Sequence, residues 1–175
     1  MSTTSLLCSI IANSNQGKAR KSSLIKEWLG RDISQSQSIR FGYYLEQFFN
    51  CLIPDSLIGD SEYRVTYNGE QHQVDVLAII DGVVVTREVK LNVEMDRGKK
   101  RDVLSREHAI TKALEEQFGL PVDNKVMCPF FINNTKVSGL GEVEGLTEFL
   151  KTFKIDMTVE QFIEMGKSNE LHRLF

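Results

Sequence analysis

Asp75, Glu88 and Lys90 bring two carboxylates and an ammonium group into one short part of the sequence. Two runs rich in valine and isoleucine flank an Asp-Gly pair at positions 81–82. Such a pair predicts a β-hairpin, here over residues 72–91, because both turn positions require a positive φ that Asp and Gly tolerate. Counting outward from the turn sets Asp75 directly opposite Glu88 and puts Lys90 on the same face of the sheet.

The face that carries these charges is otherwise almost apolar, and its remaining residues are Leu77, Ile79, Val84 and Thr86. Two carboxylates at the end of such a surface repel each other, and each costs several kcal/mol to remove from water. A divalent cation between them would relieve the repulsion. Mg²⁺ suits this site because it binds one or two carboxylates and keeps positions open for water and phosphate oxygens. The alternative is an exposed strand end with an ordinary Glu–Lys ion pair.

The pattern Asp75-x₁₂-Glu88-x-Lys90 across a hairpin resembles the catalytic core of the PD-(D/E)XK nuclease superfamily. In that family the two acidic residues bind Mg²⁺ and the lysine assists the attacking water, so the resemblance gives these roles to Asp75, Glu88 and Lys90. It implies Mg²⁺ as cofactor, with Mn²⁺ as a substitute. It also implies a mixed β-sheet whose core antiparallel hairpin is flanked by helices. The proline of the family pattern is replaced by Val74, at a position that often varies.

A helix is predicted before the hairpin, with Ser34 or Ser36 as its N-cap and Pro54 at its end. Its apolar residues recur at spacings of three and four, namely Phe41, Tyr44, Leu45, Phe48, Phe49 and Leu52. In many nucleases of this superfamily the helix before the core hairpin contributes a glutamate, and by this resemblance Glu46 belongs to the site. The alternative places Glu46 on the exposed side of the helix.

The remaining pattern predicts a single α/β domain. A strand at 62–67 turns at Asn68-Gly69 into the hairpin to give a three-stranded meander. The later elements are a helix at about 100–118, a strand at about 125–132, a loop at 133–145 and helices at about 145–153 and 158–167. The strand should run parallel to the Glu88 strand because a long helix connects them, and Pro129 favours an edge position or a bulge. The predicted parts are an N-terminal segment (1–33), a catalytic core (34–132) and a C-terminal loop with helices (133–175).

Basic residues cluster at the start of the helix after the hairpin, at Arg97, Lys99, Lys100 and Arg101. Cationic side chains there oppose the helix dipole, which favours an interpretation as phosphate contacts. A solvated run of charges is the alternative. Asn92, two residues after Lys90, resembles the continuation found in some type II restriction endonucleases.

The predicted loop at 133–145 is rich in amides, hydroxyls and glycine. Its residues Asn133, Asn134 and Lys136 have side chains that can read base edges. Turn formation explains the same residue types equally well.

Composition limits the class of protein. The 175 residues include 41% hydrophobic residues and three prolines, which is typical of a globular domain with a core. A net charge of −3 excludes a protein that coats nucleic acid by bulk charge, so DNA contacts would need local basic clusters. The three dispersed cysteines are predicted to be buried thiols. The apolar run from Leu6 to Ala12 is too short for a membrane span and has no basic flank, which predicts a cytoplasmic protein.

These patterns and the resemblance predict a Mg²⁺-dependent endonuclease that hydrolyses phosphodiester bonds of double-stranded DNA, most like a type II restriction enzyme. A chain with one such site would need a homodimer to cut both strands. A repair or recombination nuclease, such as a junction-resolving or nicking enzyme, is one alternative. A DNA-binding module that has lost catalysis is another, although the complete set of Asp75, Glu88 and Lys90 counts against it.

Overall fold

The computed structural model describes residues 35–58, 62–91 and 93–167, and four helices and seven strands form within these ranges. In chain order they are α1 (Gln35–Leu52), β1 (Tyr63–Tyr67), β2 (Glu70–Val74), β3 (Val76–Ile80), β4 (Val83–Val89), α2 (Arg97–Phe118), β5 (Val122–Met127), β6 (Thr135–Val137), β7 (Gly141–Val143), α3 (Leu146–Thr152) and α4 (Val159–Lys167). The class is therefore mixed α/β, as predicted. Among the described residues, no helix is both long and apolar enough to cross a membrane.

Two tight turns fix the hairpin registers. Asn68 and Gly69 have φ values of 49° and 82°, and Asp81 and Gly82 have φ values of 51° and 78°. These left-handed conformations suit Asn, Asp and Gly and match the twist of the flanking strands. β1 pairs antiparallel with β2, and β3 with β4, in the predicted registers.

The predicted three-stranded meander is wrong at one point, because the chain bends at Asp75. β1 and β2 form a two-stranded sheet, whereas β3, β4 and β5 form a separate three-stranded sheet. The central hairpin therefore covers 76–89, and residues 72–74 pair with β1 instead of β4. The Asp75 carboxylate accepts a hydrogen bond from the Val89 amide at 3.0 Å. A side chain thus satisfies a backbone donor that a longer hairpin would have paired with a carbonyl.

The three-stranded sheet is mixed. β4 pairs antiparallel with β3 and parallel with β5, which confirms the predicted crossover. The crossover helix α2 begins after Asp96, whose side chain accepts from the Lys99 amide at 2.9 Å, and ends at Gly119 with a φ of 62°. Its start lies three residues before the predicted one. Ile110 and Leu114 of α2 pack on the hairpin face that carries Leu77 and Val84.

The predicted bounds of β5 are wrong, because the strand begins at Val122 and ends at Met127. The polar residues in its first half do not fit the apolar pattern from which a buried strand is predicted. Arg87 binds Asp123, and the Asn124 side chain donates to the Glu107 carbonyl at 2.9 Å, so both polar residues have partners in the fold. Pro129 follows the strand and does not interrupt it. β5 is nevertheless an edge strand of its sheet.

The opposite face of the sheet packs against an aromatic cluster. Phe49 of α1 lies 4.6 Å from Phe149 and 5.9 Å from Phe162, measured between ring centroids. These two partners belong to α3 and α4, which form close to the predicted bounds. The rings therefore fasten α1, and with it Glu46, to the C-terminal helices.

Two further predictions need correction. The segment 133–145 is not a simple loop, because β6 and β7 pair within it while Leu140 and Val143 are buried. Cys128 is buried as predicted, but Cys51 is exposed. Cys8 and Ser34 lie outside the described residues, as does the predicted N-terminal segment.

We expect Phe49→Ala to lower the free energy of unfolding by about 3–5 kcal/mol, the usual cost of deleting a buried aromatic ring. Urea denaturation followed by circular dichroism measures the loss. Leu104→Ala removes an apolar side chain that is 38% exposed on α2, and it should change stability by less than about 1 kcal/mol. Similar losses for both variants would contradict the anchoring role of Phe49.

Candidate active site

The open end of the central hairpin carries the predicted acidic pair. Val76 lies opposite Arg87 at the end of the paired register, and Asp75 and Glu88 are the next residues outward. Asp75 is only 6% exposed and Glu88 only 3% exposed. The alternative of an exposed strand end is therefore wrong.

Lys90 adjoins this pair. Its ammonium group forms an ion pair with the Oε1 atom of Glu88. Its backbone amide donates to the Met127 carbonyl at 2.8 Å, so hydrogen bonding to β5 continues to the lysine. The side chain is 25% exposed, whereas that of Glu88 is 2% exposed. Lys90 thus lies between the buried carboxylate and solvent.

Asn50 ties helix α1 to the acidic pair. Its side-chain amide donates to the carbonyl oxygen of Asp75 at 2.8 Å and to that of Glu46 at 2.9 Å. The Asn50 Oδ1 atom accepts from the Ser56 hydroxyl at 2.9 Å, which fixes the amide orientation. Asn50 follows Glu46 by one helical turn, so the same face of α1 carries both residues.

Glu46 belongs to the same electrostatic cluster. Its side chain is partly buried, and this burial raises its pKa to about 8. The negative charges of Asp75 and Glu88 act in the same direction, while Lys90 and Arg106 oppose them. Glu46 is therefore within electrostatic reach of the acidic pair and is not fully exposed, while its role in the site stays a prediction.

Arg106 is a site residue that the sequence patterns did not identify. Its Nη2 atom lies 2.9 Å from Glu88 Oε2 and 3.4 Å from Asp75 Oδ1. The signal was its position on α2, because Arg106 follows Val103 by three residues and precedes Ile110 by four. Both neighbours are buried. A cation on the core-facing stripe of a helix needs a buried anion, and the acidic pair provides it.

The cluster contains more negative than positive groups. Three carboxyl groups, from Glu46, Asp75 and Glu88, share two cationic partners, Lys90 and Arg106. Burial, followed by the charge of Glu88, raises the pKa of Asp75 to about 7. Burial and the charge of Glu88 also raise the pKa of Glu107, a further acid on α2. These raised pKa values reflect burial and repulsion between the ionised carboxylates, and an additional cation would favour their ionised forms.

The donor chemistry fits Mg²⁺. Both carboxylate oxygens of Glu88 are buried and lack a well-aligned hydrogen bond, so only charge attraction to Lys90 and Arg106 holds them. Oxygen ligands of this kind suit a hard divalent cation. Nowhere in 35–58, 62–91 and 93–167 do three His, Cys, Asp or Glu side chains group closely enough to hold a metal. A divalent cation at this site would have Asp75 and Glu88 as its two carboxylate ligands and would need water or substrate for the others.

The basic run lies on the first turns of α2. The side chains of Arg97, Lys99 and Arg101 are exposed, and Lys99 has one long ion pair of 3.7 Å with Asp96. Lys100 instead donates to the carbonyl oxygen of Ser138 at 2.5 Å. This bond brings the basic run beside the β6–β7 turn.

The β6–β7 segment uses part of its polar groups internally. The Asn134 side chain accepts from the Gly145 amide at 3.0 Å and donates to Glu142 at 3.4 Å. The backbone of Asn133 packs so closely on Gly145 that a Cβ there would lie 2.4 Å from a carbonyl carbon. Turn formation thus accounts for Asn134. Lys136 is exposed, and Asn92 lies outside the described residues.

The sequence matches no protein-family model and no curated protein.

We expect the metal-free protein to lose stability between about pH 5 and pH 8 because of Asp75 and Glu46. Their pKa values rise from the ordinary 3.8 and 4.5 to about 7 and about 8 in the folded chain. In this window the unfolded chain has released both protons while the folded chain retains them, so rising pH favours unfolding.

Urea denaturation at several pH values measures this dependence. Glu46→Gln removes one of the two titrating groups, so its stability should fall less over the same window. Glu116→Gln, an exposed site on α2, should follow the wild type. A pH dependence in Glu46→Gln equal to that of the wild type would contradict the assignment.

Proposed function

We propose that this chain is a Mg²⁺-dependent endonuclease that hydrolyses phosphodiester bonds of double-stranded DNA, on a fold of the PD-(D/E)XK type. The observation that supports it is the buried pair of Asp75, at the bend between β2 and β3, and Glu88 of β4, with Lys90 beside Glu88. A stable core has no use for such a pair, because each buried charge costs free energy that an apolar residue would not.

The residues divide the chemistry among them. Asp75 and Glu88 would hold Mg²⁺, which supplies a Lewis acid for the phosphate and activates water. Lys90 reaches toward solvent and offers a positive charge where negative charge develops on the phosphate. Glu46, with a pKa of about 8, can exchange a proton close to neutral pH and thus act as an acid or base.

The exposed basic residues of α2 supply the proposed DNA contacts. Arg97, Lys99 and Arg101 have free reach to phosphates, and Lys136 extends the same region across the Lys100–Ser138 bond. Phosphate contacts of this kind position a duplex without reading its sequence. Asn92 and Asn133 are the proposed base-reading residues.

Double-strand cleavage requires a second copy of the site. One pair of carboxylates positions one water against one phosphate, so we propose a homodimer on duplex DNA with one site for each strand. This part of the proposal favours a restriction-type enzyme that works in the cytoplasm. A nicking or junction-resolving enzyme on the same core would use the site without that symmetry.

We expect Asp75→Asn and Glu88→Gln each to lower the rate of DNA cleavage at least about a hundredfold, because each removes a charged group on which the reaction depends. Both substitutions keep the side-chain size, so DNA binding should persist. Cleavage of supercoiled plasmid in Mg²⁺ gives the rate, and circular dichroism confirms folding.

The exposed residues Asp156 and Glu160 provide matched controls, since Asp156→Asn and Glu160→Gln should cleave as the wild type does. Wild-type rates in the site variants would overturn the assignment. Linear product supports the dimeric restriction-type enzyme, whereas nicked product alone favours the nicking enzyme. Binding without cleavage by the wild type favours the inactive DNA-binding module.

We expect Lys99→Ala and Arg101→Ala each to reduce the slope of log affinity against log salt by about one unit, as for one lost phosphate contact. The loss should be similar for unrelated DNA sequences, because phosphates are common to all of them. Fluorescence anisotropy in Ca²⁺ at several salt concentrations measures the slope. Lys112→Ala removes an equal charge on the same helix and should leave the slope unchanged. Slopes of the wild-type value would place Lys99 and Arg101 in solvent.

A further inference from the structure

We infer that Arg106 is a tethered counter-ion for the acidic pair, which a divalent cation must displace in order to bind Asp75 and Glu88. This inference rests on the proposed function and assigns Arg106 as a positioning residue of the same site. It makes the guanidinium and the metal ion competitors for the same carboxylate oxygens.

The position of Arg106 is that of a cation bridging two ligands. One nitrogen atom, Nη2, contacts Glu88 Oε2 at 2.9 Å and Asp75 Oδ1 at 3.4 Å. Its side chain is 36% exposed, while the two carboxylate side chains are 2% and 4% exposed. The guanidinium thus covers the acidic pair on the solvent side. Lys90, which is 25% exposed, is the other cationic side chain between Glu88 and solvent.

Arg106 of α2 forms fewer and longer hydrogen bonds than Arg87 of β4, the other arginine that pairs with buried carboxylates. Its Nε atom is buried without a hydrogen-bond partner, and its contact with the Gln73 carbonyl is 3.5 Å long. Arg87, by contrast, makes five hydrogen bonds, including two of 2.6 and 2.8 Å to Glu144. If Arg106 were displaced, its Nε atom could form a hydrogen bond with water. This atom has no hydrogen-bond partner while Arg106 occupies the site.

The charge balance favours the exchange. With Arg106 in place, Asp75 and Glu88 are paired with the single charges of Arg106 and Lys90, and substitution of Mg²⁺ for the guanidinium supplies one positive charge more. Competition from Arg106 nevertheless lowers the apparent metal affinity, because a cation binds only the fraction of molecules in which Arg106 has left the carboxylates. Arg106 therefore neutralises the carboxylates when no metal is bound, and it determines how tightly a metal ion can bind them.

The test measures cation binding in the absence of DNA. Mn²⁺ is titrated by calorimetry into the wild type, Arg106→Gln, Arg106→Lys and Lys112→Gln. We expect Arg106→Gln to bind Mn²⁺ at least about tenfold more tightly, because a positive charge within a few ångströms of the ligands is removed. Arg106→Lys keeps the positive charge but bridges the two carboxylates less well. Its Mn²⁺ affinity should therefore lie between those of the wild type and Arg106→Gln. Lys112→Gln should bind as the wild type does.

Unchanged or weaker binding by Arg106→Gln overturns the inference, as does the absence of Mn²⁺ binding in every variant. If Arg106→Gln unfolds without metal, its Mn²⁺-dependent rise in melting temperature replaces calorimetry, and it should exceed the wild-type rise. If Arg106→Gln stays unfolded in Mn²⁺, the affinity of Arg106→Lys decides, and a value no tighter than wild type overturns the inference. Tighter binding by Arg106→Gln with no DNA cleavage by the wild type leaves the inference standing and overturns the nuclease proposal.

Discussion

The burial of two carboxylates beside two cations is the constraint on which the rest of this structure depends. Asp75 and Glu88 lie opposite each other, and neither is more than 6% exposed. Their charges must be matched from nearby, since an unpaired buried charge would cost more free energy than one hydrophobic contact returns. The cations come from different directions, Lys90 from the end of β4 and Arg106 from α2. The buried carboxylates of the hairpin are therefore stable only when α2 is packed against it, and Arg106 of α2 is paired only in that arrangement.

Local chemistry made the position of the acidic pair predictable. The Asp81-Gly82 turn has only one favourable register, and residue-by-residue pairing from it leads to Asp75 and Glu88. Gly119 ended α2 for a similar reason, because its φ of 62° suits glycine best. Glu46 was reached through the family resemblance, since helical spacing alone left it on either side of α1. The hairpin registers and the end of α2 were predictable because each depends on a conformational preference within about 20 residues of sequence.

Long-range pairing limited the remaining predictions. The bend at Asp75 depends on the Val89 amide, fourteen residues away, and the apolar pattern of 72–80 gives no sign of it. Arg106 is paired with residues more than fifteen positions earlier, so its role emerges only when α2 is docked. Asp123 and Asn124 made β5 look too polar for a buried strand until their partners Arg87 and Glu107 were known. In each case the position of a polar residue depends on a partner that is distant in sequence.

Adjacent opposite charges on β4 also protect the hairpin against misalignment. Arg87 points to one side of the sheet, where Glu144 binds it, and Glu88 points to the other, where Arg106 and Lys90 bind it. A slip of one residue would turn each side chain to the opposite side. Arg87 would then meet Arg106 and Glu88 would meet Glu144, so a single slip would create two repulsive buried contacts at once. Alternative strand alignments are thereby excluded by charge as well as by turn geometry, which makes β4 a poor template for mispaired or aggregated forms.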